Sequence, residues 1–273
     1  MLHMHRSASS LPCPYSPRPT LLTFFPSQLC FNLRARKEQK LSVSCDFSCF
    51  QIKDVTYQPS GTKLTLLDQV NFSLRQKSCG LIIGRSGSGK TTLLQLIAGL
   101  NKPTSGSIHI QQYTDDGQPC KCPEPLNPRS VGIVFQFPER YFVGESVLDE
   151  ITFGWPRQRG THHASKLQKA LGLVGLTGIP LDKDPNSLSG GYKRRLALAI
   201  QLVQTPDLLV LDEPLAGLDW KARADIAKLL KCLKKKLTLL IVSHDLKELA
   251  PLVDQTWRME MGGSLKVAET FPI

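Results

Sequence analysis

Short apolar runs alternate with amphipathic stretches along most of the chain. Cys79-Gly80-Leu81-Ile82-Ile83, Val131-Gly132-Ile133-Val134-Phe135, Leu208-Leu209-Val210-Leu211 and Leu237 to Val242 read as buried strands. Thr92 to Ala98, Gly191 to Val203, Trp220 to Lys235 and His244 to Leu252 read as helices, the first stopped by Gly99. Upstream, Cys49 to Tyr57 and Lys63 to Leu74, separated by Gln58-Pro59-Ser60-Gly61, read as an antiparallel hairpin. Gly106 to Ile110 adds a strand-like segment, followed by a polar, proline-rich loop to about Ser130. Gln255 to Val267 reads as a closing hairpin turning at Gly262-Gly263. Residues 137–187 interrupt the alternation. Their amphipathic stretches, Ser146 to Phe153 and His163 to Leu173, predict a helical lobe inserted into the core. The pattern has no internal repeat and predicts an α/β fold with a parallel core, an antiparallel β-subdomain and an α-helical insertion.

Composition sharpens this picture in two places. With 273 residues at 41% hydrophobic the chain can bury a sizeable core, and no apolar run approaches the ~18 residues needed to cross a bilayer. The net charge of +11 is unevenly spread. Residues 1–45 carry Arg6, Arg18, Arg34, Arg36, Lys37 and Lys40 against the single acid Glu38, which accounts for about +5. Rich in Ser and Pro, this segment resembles an organelle transit peptide, of the chloroplast rather than the mitochondrial kind, with Val43-Ser44-Cys45 at its processing end; a merely disordered N-terminus is the alternative. The lysines at 228–236 read as a solvated helix face, so no nucleic-acid partner is expected. Eight cysteines are scattered without a disulfide framework, and Cys120 and Cys122 read as exposed loop thiols.

The chemistry centres on Gly84-Arg85-Ser86-Gly87-Ser88-Gly89-Lys90-Thr91, which fits the phosphate-cradling pattern G-x-x-x-x-G-K-[ST] at every fixed position, between a strand and a helix beginning near Thr92. Backbone N–H groups there can wrap a phosphate at the positive end of the helix. Lys90 can reach the β- and γ-phosphates, and the Thr91 hydroxyl can hold Mg²⁺. The chain thus reads as a nucleoside triphosphate binder. Leu208 to Leu211 delivers Asp212-Glu213 to the carboxyl end of a strand, where ligands sit in open parallel sheets. Asp212 is placed to hold Mg²⁺ beside Thr91, and Glu213 to polarise the attacking water. Leu188-Ser189-Gly190-Gly191 opens a helix with Ser189 as N-cap, which makes a second anion site.

Together these motifs resemble the nucleotide-binding subunits of ATP-binding-cassette (ABC) proteins, with Leu188 to Gly191 as the signature and a cassette spanning about 48–267, before a short tail, 268–273. The resemblance implies a P-loop ABC ATPase core. ATP is the nucleotide, bound by Gly84, Arg85, Ser86, Gly87, Ser88, Gly89, Lys90, Thr91 and Thr92. Gln136 falls where the family senses Mg²⁺ and the attacking water, so that Thr91, Gln136 and Asp212 form the Mg²⁺ set. Ala216-Gly217-Leu218-Asp219 matches the loop that crosses to the partner, and His244 the histidine that contacts the γ-phosphate; Glu213, His244 and Gln136 are the catalytic residues. The implied assembly is a head-to-tail homodimer or heterodimer, each ATP lying between Lys90 of one subunit and Ser189 of the other. The sequence departs from the family at Tyr192, where Gln or Glu is usual, and at Pro59, where an adenine-stacking aromatic is expected. Tyr57, two residues earlier, either stacks on adenine or packs in the core.

Phe135-Gln136-Phe137-Pro138-Glu139, Ser146 to Ile151 and Phe153-Gly154 narrow the resemblance to the ATPases of energy-coupling-factor importers, the cobalt and vitamin class, and to plant plastid non-intrinsic ABC proteins of the ABC transporter I family. The sequence ends soon after the closing hairpin, without the extension many such ATPases carry, which leaves dimer contacts to the nucleotides and to membrane-embedded subunits. Three classes compete. The first is the ATPase of a transporter, peripheral on the stromal side of a plastid membrane, with metal ions or a small cofactor as cargo. The second is a soluble ATPase of iron–sulfur cluster assembly, whose Phe-Ser-Gly-Gly-Glu signature does not match Leu188 to Tyr192. The third is a nucleic-acid or ribosome-associated protein, disfavoured by the single cassette and the lack of heptads.

Overall fold

The computed structural model describes residues 47–155 and 161–268. Residues 1–46, which contain the expected transit segment, lie outside the described residues, as do residues 269–273.

Among the described residues ten strands form two sheets. The antiparallel one contains β1 (Phe47–Tyr57), β2 (Leu67–Arg75), β4 (Ser105–Tyr113) and β5 (Glu124–Pro125) in the order β2-β1-β4-β5. The larger one runs β10-β9-β3-β8-β7-β6 and comprises β3 (Cys79–Gly84), β6 (Val131–Val134), β7 (Leu208–Asp212), β8 (Thr238–Val242), β9 (Gln255–Met259) and β10 (Leu265–Val267). All its pairings are parallel except β10 with β9.

The apolar runs are continuous rather than alternating because the central strands are covered on both sides. Leu81, Leu209, Leu211, Leu239 and Ile241 point into one core, shared with α4 (Gly190–Leu202) and α5 (Trp220–Lys234). Ile82, Leu208, Val210, Leu240 and Val242 point into the other, where Leu93, Leu94, Leu96 and Ile97 of α1 (Lys90–Ile97) meet Phe50, Ile52, Val70 and Phe72 of the antiparallel sheet. At the edge of the large sheet, Gln201 on α4 accepts the Ile133 N–H at 3.1 Å, satisfying a β6 donor that no strand covers.

Between β6 and α4 lie α2 (Val147–Thr152) and α3 (Thr161–Val174). Ser146 caps α2, accepting from the Asp149 N–H at 3.1 Å. Two elements are shorter than their sequence patterns. The expected strand from Lys63 begins only at Leu67, because Gly61, with φ 78°, and the Thr62 N–H to Pro59 O bond of 3.1 Å prolong the turn. The expected helix from His244 to Leu252 shrinks to α6 (Leu246–Leu249): the Asp245 N–H donates to Ser243 Oγ at 3.0 Å rather than entering a helix, and Pro251 follows at the other end. Cys122 is an exposed free thiol, whereas Cys120 is disulfide-bonded, contrary to the expectation of two loop thiols.

Candidate nucleotide site

Strand β3 ends at Gly84 and α1 starts at Lys90, so the loop between them stands at the carboxyl edge of the parallel sheet. Two glycines make its path possible. Gly87 has φ 81°, and Gly89, the N-cap of α1, has φ 102°; a Cβ on Gly89 would stand 2.8 Å from Leu66 O. Lys90 Nζ donates to Gly84 O at 2.9 Å and Arg85 O at 2.8 Å, so its ammonium is held over the loop mouth. Gly84, Arg85, Ser86, Gly87, Gly89, Lys90, Thr91 and Thr92 line a cleft of about 640 Å³, large enough for a nucleotide. Ser88 turns inward instead, with its buried Oγ unpaired.

The other wall of this cleft is Gln136, Asp212, Glu213 and His244. Thr91 Oγ1 donates to Asp212 Oδ2 at 2.8 Å. Burial pushes the Asp212 carboxyl above its ordinary range, and the neighbouring Glu213 charge adds to this, while the Thr91 bond and Lys90 oppose it. Glu213 takes an uncommon left-handed backbone, φ 47°, pinned by its N–H to Val242 O at 2.8 Å. This turns the buried carboxylate onto the end of β8. Ser243 Oγ donates to Glu213 Oε2 at 2.9 Å, and His244 Nδ1 lies 2.8 Å from Glu213 Oε1. A carboxylate can only accept, so the proton is assigned to Nδ1, leaving Nε2 on a ring whose side chain is 72% exposed.

Leu188, Ser189, Gly190 and Gly191 stand elsewhere. Leu188 is buried beneath the turn. Ser189 is the N-cap of α4, but its hydroxyl makes no capping bond. Ser189, Gly190, Gly191, Tyr192, Arg195 and Asp219 line a second cleft of about 460 Å³. Asp219 also caps α5, accepting from the Ala222 N–H at 2.8 Å. The expected site residues therefore fall into two groups: the phosphate loop with Gln136, Asp212, Glu213 and His244, and the signature with Asp219. Tyr57 joins neither. It is partly buried against the second core, and its neighbour across the turn, Leu66, lines the nucleotide cleft in its place. Of the two alternatives left open for Tyr57, this favours packing.

Three residues escaped sequence reasoning. Ser243 and Leu66 lie in unremarkable stretches and are recruited only by the fold. Arg194 left a signal: a cation on the apolar stripe of α4 with Ala197 and Leu198. It is buried, and its guanidinium donates to the carbonyls of Phe135, Gln136 and Ala216. Burial lowers its pKa, partly offset by Glu139.

The donors in the first cleft suit a triphosphate and a hard cation. Backbone N–H groups and Lys90 face the phosphate position, and Thr91 Oγ1, Asp212 and Gln136 offer oxygens of the kind Mg²⁺ prefers. Glu213, His244 and Asp245 also cluster within 4.8 Å, but Asp245 is already ion-paired with Arg223 at 2.5 Å.

The family described as ABC transporter matches residues 67–216. ABC transporter I family member 11, chloroplastic, of Arabidopsis thaliana is 70% identical over 247 residues, 88% of each chain. The energy-coupling factor transporter ATP-binding protein EcfA2 of Acetivibrio thermocellus is 44% identical over 201 residues, 72% of this chain and 70% of that protein. Among solved structures, cbiO1 of Clostridium perfringens, part of the ABC transporter complex cbiONQ, superposes with a TM-score of 0.67 at 29% identity, covering 80% of this chain and 86% of that one. The chain belongs to the ABC transporter family, as an ATP-binding and ATP-hydrolysing subunit with the α/β fold of an ABC ATPase.

Proposed function

We propose that this chain powers a multi-subunit transporter at a plastid membrane, with a transition-metal ion or a small cofactor as cargo. The observation that carries the catalytic part is the convergence of the phosphate loop, Gln136, Asp212, Glu213 and His244 on one cleft. Lys90 exchanges its two loop carbonyls for the β- and γ-phosphate oxygens of ATP. Thr91, Asp212 and Gln136 would hold Mg²⁺, which when bound screens the charge on those oxygens. Glu213 Oε2 accepts a hydrogen bond from the attacking water, while Ser243 and His244 hold its carboxylate in place. The outward edge of the His244 ring meets the γ-phosphate, where Nε2 donates once the ring carries a proton on both nitrogens.

The second cleft faces the nucleotide of another subunit in a head-to-tail homodimer or heterodimer: the free Ser189 hydroxyl and the N-terminus of α4 are donors with no phosphate of their own. Membrane-embedded subunits dock near Gln136. Likeness to EcfA2 and to cbiO1 supports the transporter reading, and likeness to a chloroplastic relative supports the plastid. Residues 1–45 are the transit segment, 48–267 the cassette with its helical lobe at 137–187, and 268–273 a tail; the assembled subunit sits on the stromal side.

Glu213→Gln tests the catalytic assignment. ATP binding is expected to persist while turnover falls by about 100-fold or more, since only the polarising carboxylate is lost. Hydrolysis at the parental rate would sink it.

A further inference from the structure

Arg194 is 3% exposed, yet it has no carboxylate partner at ion-pair distance among the described residues. Its charge is met by backbone carbonyls: Nη1–H donates to Phe135 O at 3.0 Å, and Nη2–H donates to Gln136 O at 2.7 Å and Ala216 O at 3.1 Å. The Nε–H is buried without a partner. A buried cation so arranged is a poor choice for stability alone, because desolvation is costly and an apolar side chain would fill the space at least as well. What it does accomplish is geometric. The planar fork ties three separate segments together: the start of α4 behind Ser189, the loop leaving β6 at Gln136, and the turn between Glu213 and Asp219.

We propose that Arg194 is a positioning residue for ATP hydrolysis, fixing the Gln136 and Ala216 backbones to the signature helix so that the two clefts move as one body. This rests on the functional reading above, which assigns Gln136 to the cleft chemistry. A side chain placed about an ångström from its productive position loses up to two orders of magnitude in rate. Lysine keeps the charge but is a single point donor that cannot span three carbonyls.

The test is a double-mutant cycle on steady-state ATPase activity of the full chain, with melting temperatures in parallel. Arg194→Lys is expected to lower kcat by roughly tenfold or more while KM for ATP stays within about threefold. Added to Gln136→Ala, it should lower kcat little further, because the side chain it positions is gone. A purely structural arginine would give factors that multiply in the double variant, and that result, or a parental kcat in Arg194→Lys, overturns the proposal. A parental chain without ATPase activity would instead mark failure of the functional reading. In that case, or if Arg194→Lys does not fold, hydrogen exchange on the unsubstituted chain with and without ATP decides. Protection should change together at residues 135–137 and 189–195; a change in one segment alone, or in neither, overturns it.

Discussion

Asp212 and Glu213 are consecutive carboxylates that the backbone sends to different partners. Asp212 continues β7 and meets the Thr91 hydroxyl, whereas Glu213 turns through φ 47° onto Ser243 and His244. Both were legible as the end of an apolar strand beside a phosphate loop. The turn was not, since its cause is a contact with β8 some thirty residues later in the chain. The raised pKa of Asp212 carries a stability consequence. The unfolded carboxyl ionises near 3.8, the folded one higher, so the native state binds more protons between those values and this group costs stability as pH rises through them. Asp212→Asn removes that cost and keeps an acceptor for Thr91. Its melting temperature at pH 7 is expected to rise, with the gain disappearing towards pH 4, while ATP hydrolysis is lost. A lower melting temperature at pH 7 would show that the buried charge is stabilising.

Element boundaries were read well where one face decides them and poorly where a side chain competes with the backbone. Thus β7 and α5 follow their apolar patterns, whereas Ser243 ends the expected helix before α6 by taking the Asp245 N–H. The segment leading into α2 is the clearest case of hidden determination. Glu150, buried on α2, accepts from the Val143 N–H at 2.8 Å and the Gly144 N–H at 2.6 Å, folding residues 143–146 back onto the helix. Gly144 permits that approach, as a Cβ there would lie 2.5 Å from the Glu150 N. On sequence alone Glu150 is one more acidic residue in the first turn of a helix. Glu150→Ala leaves two N–H groups unpaired and is expected to cost roughly 2 kcal/mol or more, whereas Glu150→Gln retains an acceptor and costs less. Chemical denaturation of the three proteins checks this ranking; equal midpoints would mean that water replaces the carboxylate.

At the scale of the whole molecule, the outer surface of the helical insertion bears on the proposed coupling to membrane-embedded subunits. The sequence places Phe137, Pro138, Tyr141 and Phe142 together after Gln136, and the structure divides them. Pro138 is buried and Phe142 packs on the first core, while Tyr141, its ring tilted against that of Phe135 with centroids 5.0 Å apart, is 59% exposed. Val143 and Phe153, 65% and 71% exposed, belong to the same insertion. Where such exposed apolar side chains adjoin, they are a feature of surfaces that meet a partner. Glu145, two residues from Val143, is exposed and makes no ion pair among the described residues, so it is available to a basic side chain on that partner. It is not among the residues lining the nucleotide cleft. Reversing its charge therefore separates docking from chemistry. Glu145→Arg is expected to leave the ATPase activity of the isolated subunit within about twofold, and to shift the protein from the membrane to the soluble fraction by repelling the partner. Fractionation of plastids carrying the variant, with the parental protein as control, reads this directly. If both are retained equally, Glu145 plays no part in docking, and the proposed coupling to membrane-embedded subunits would need a different face.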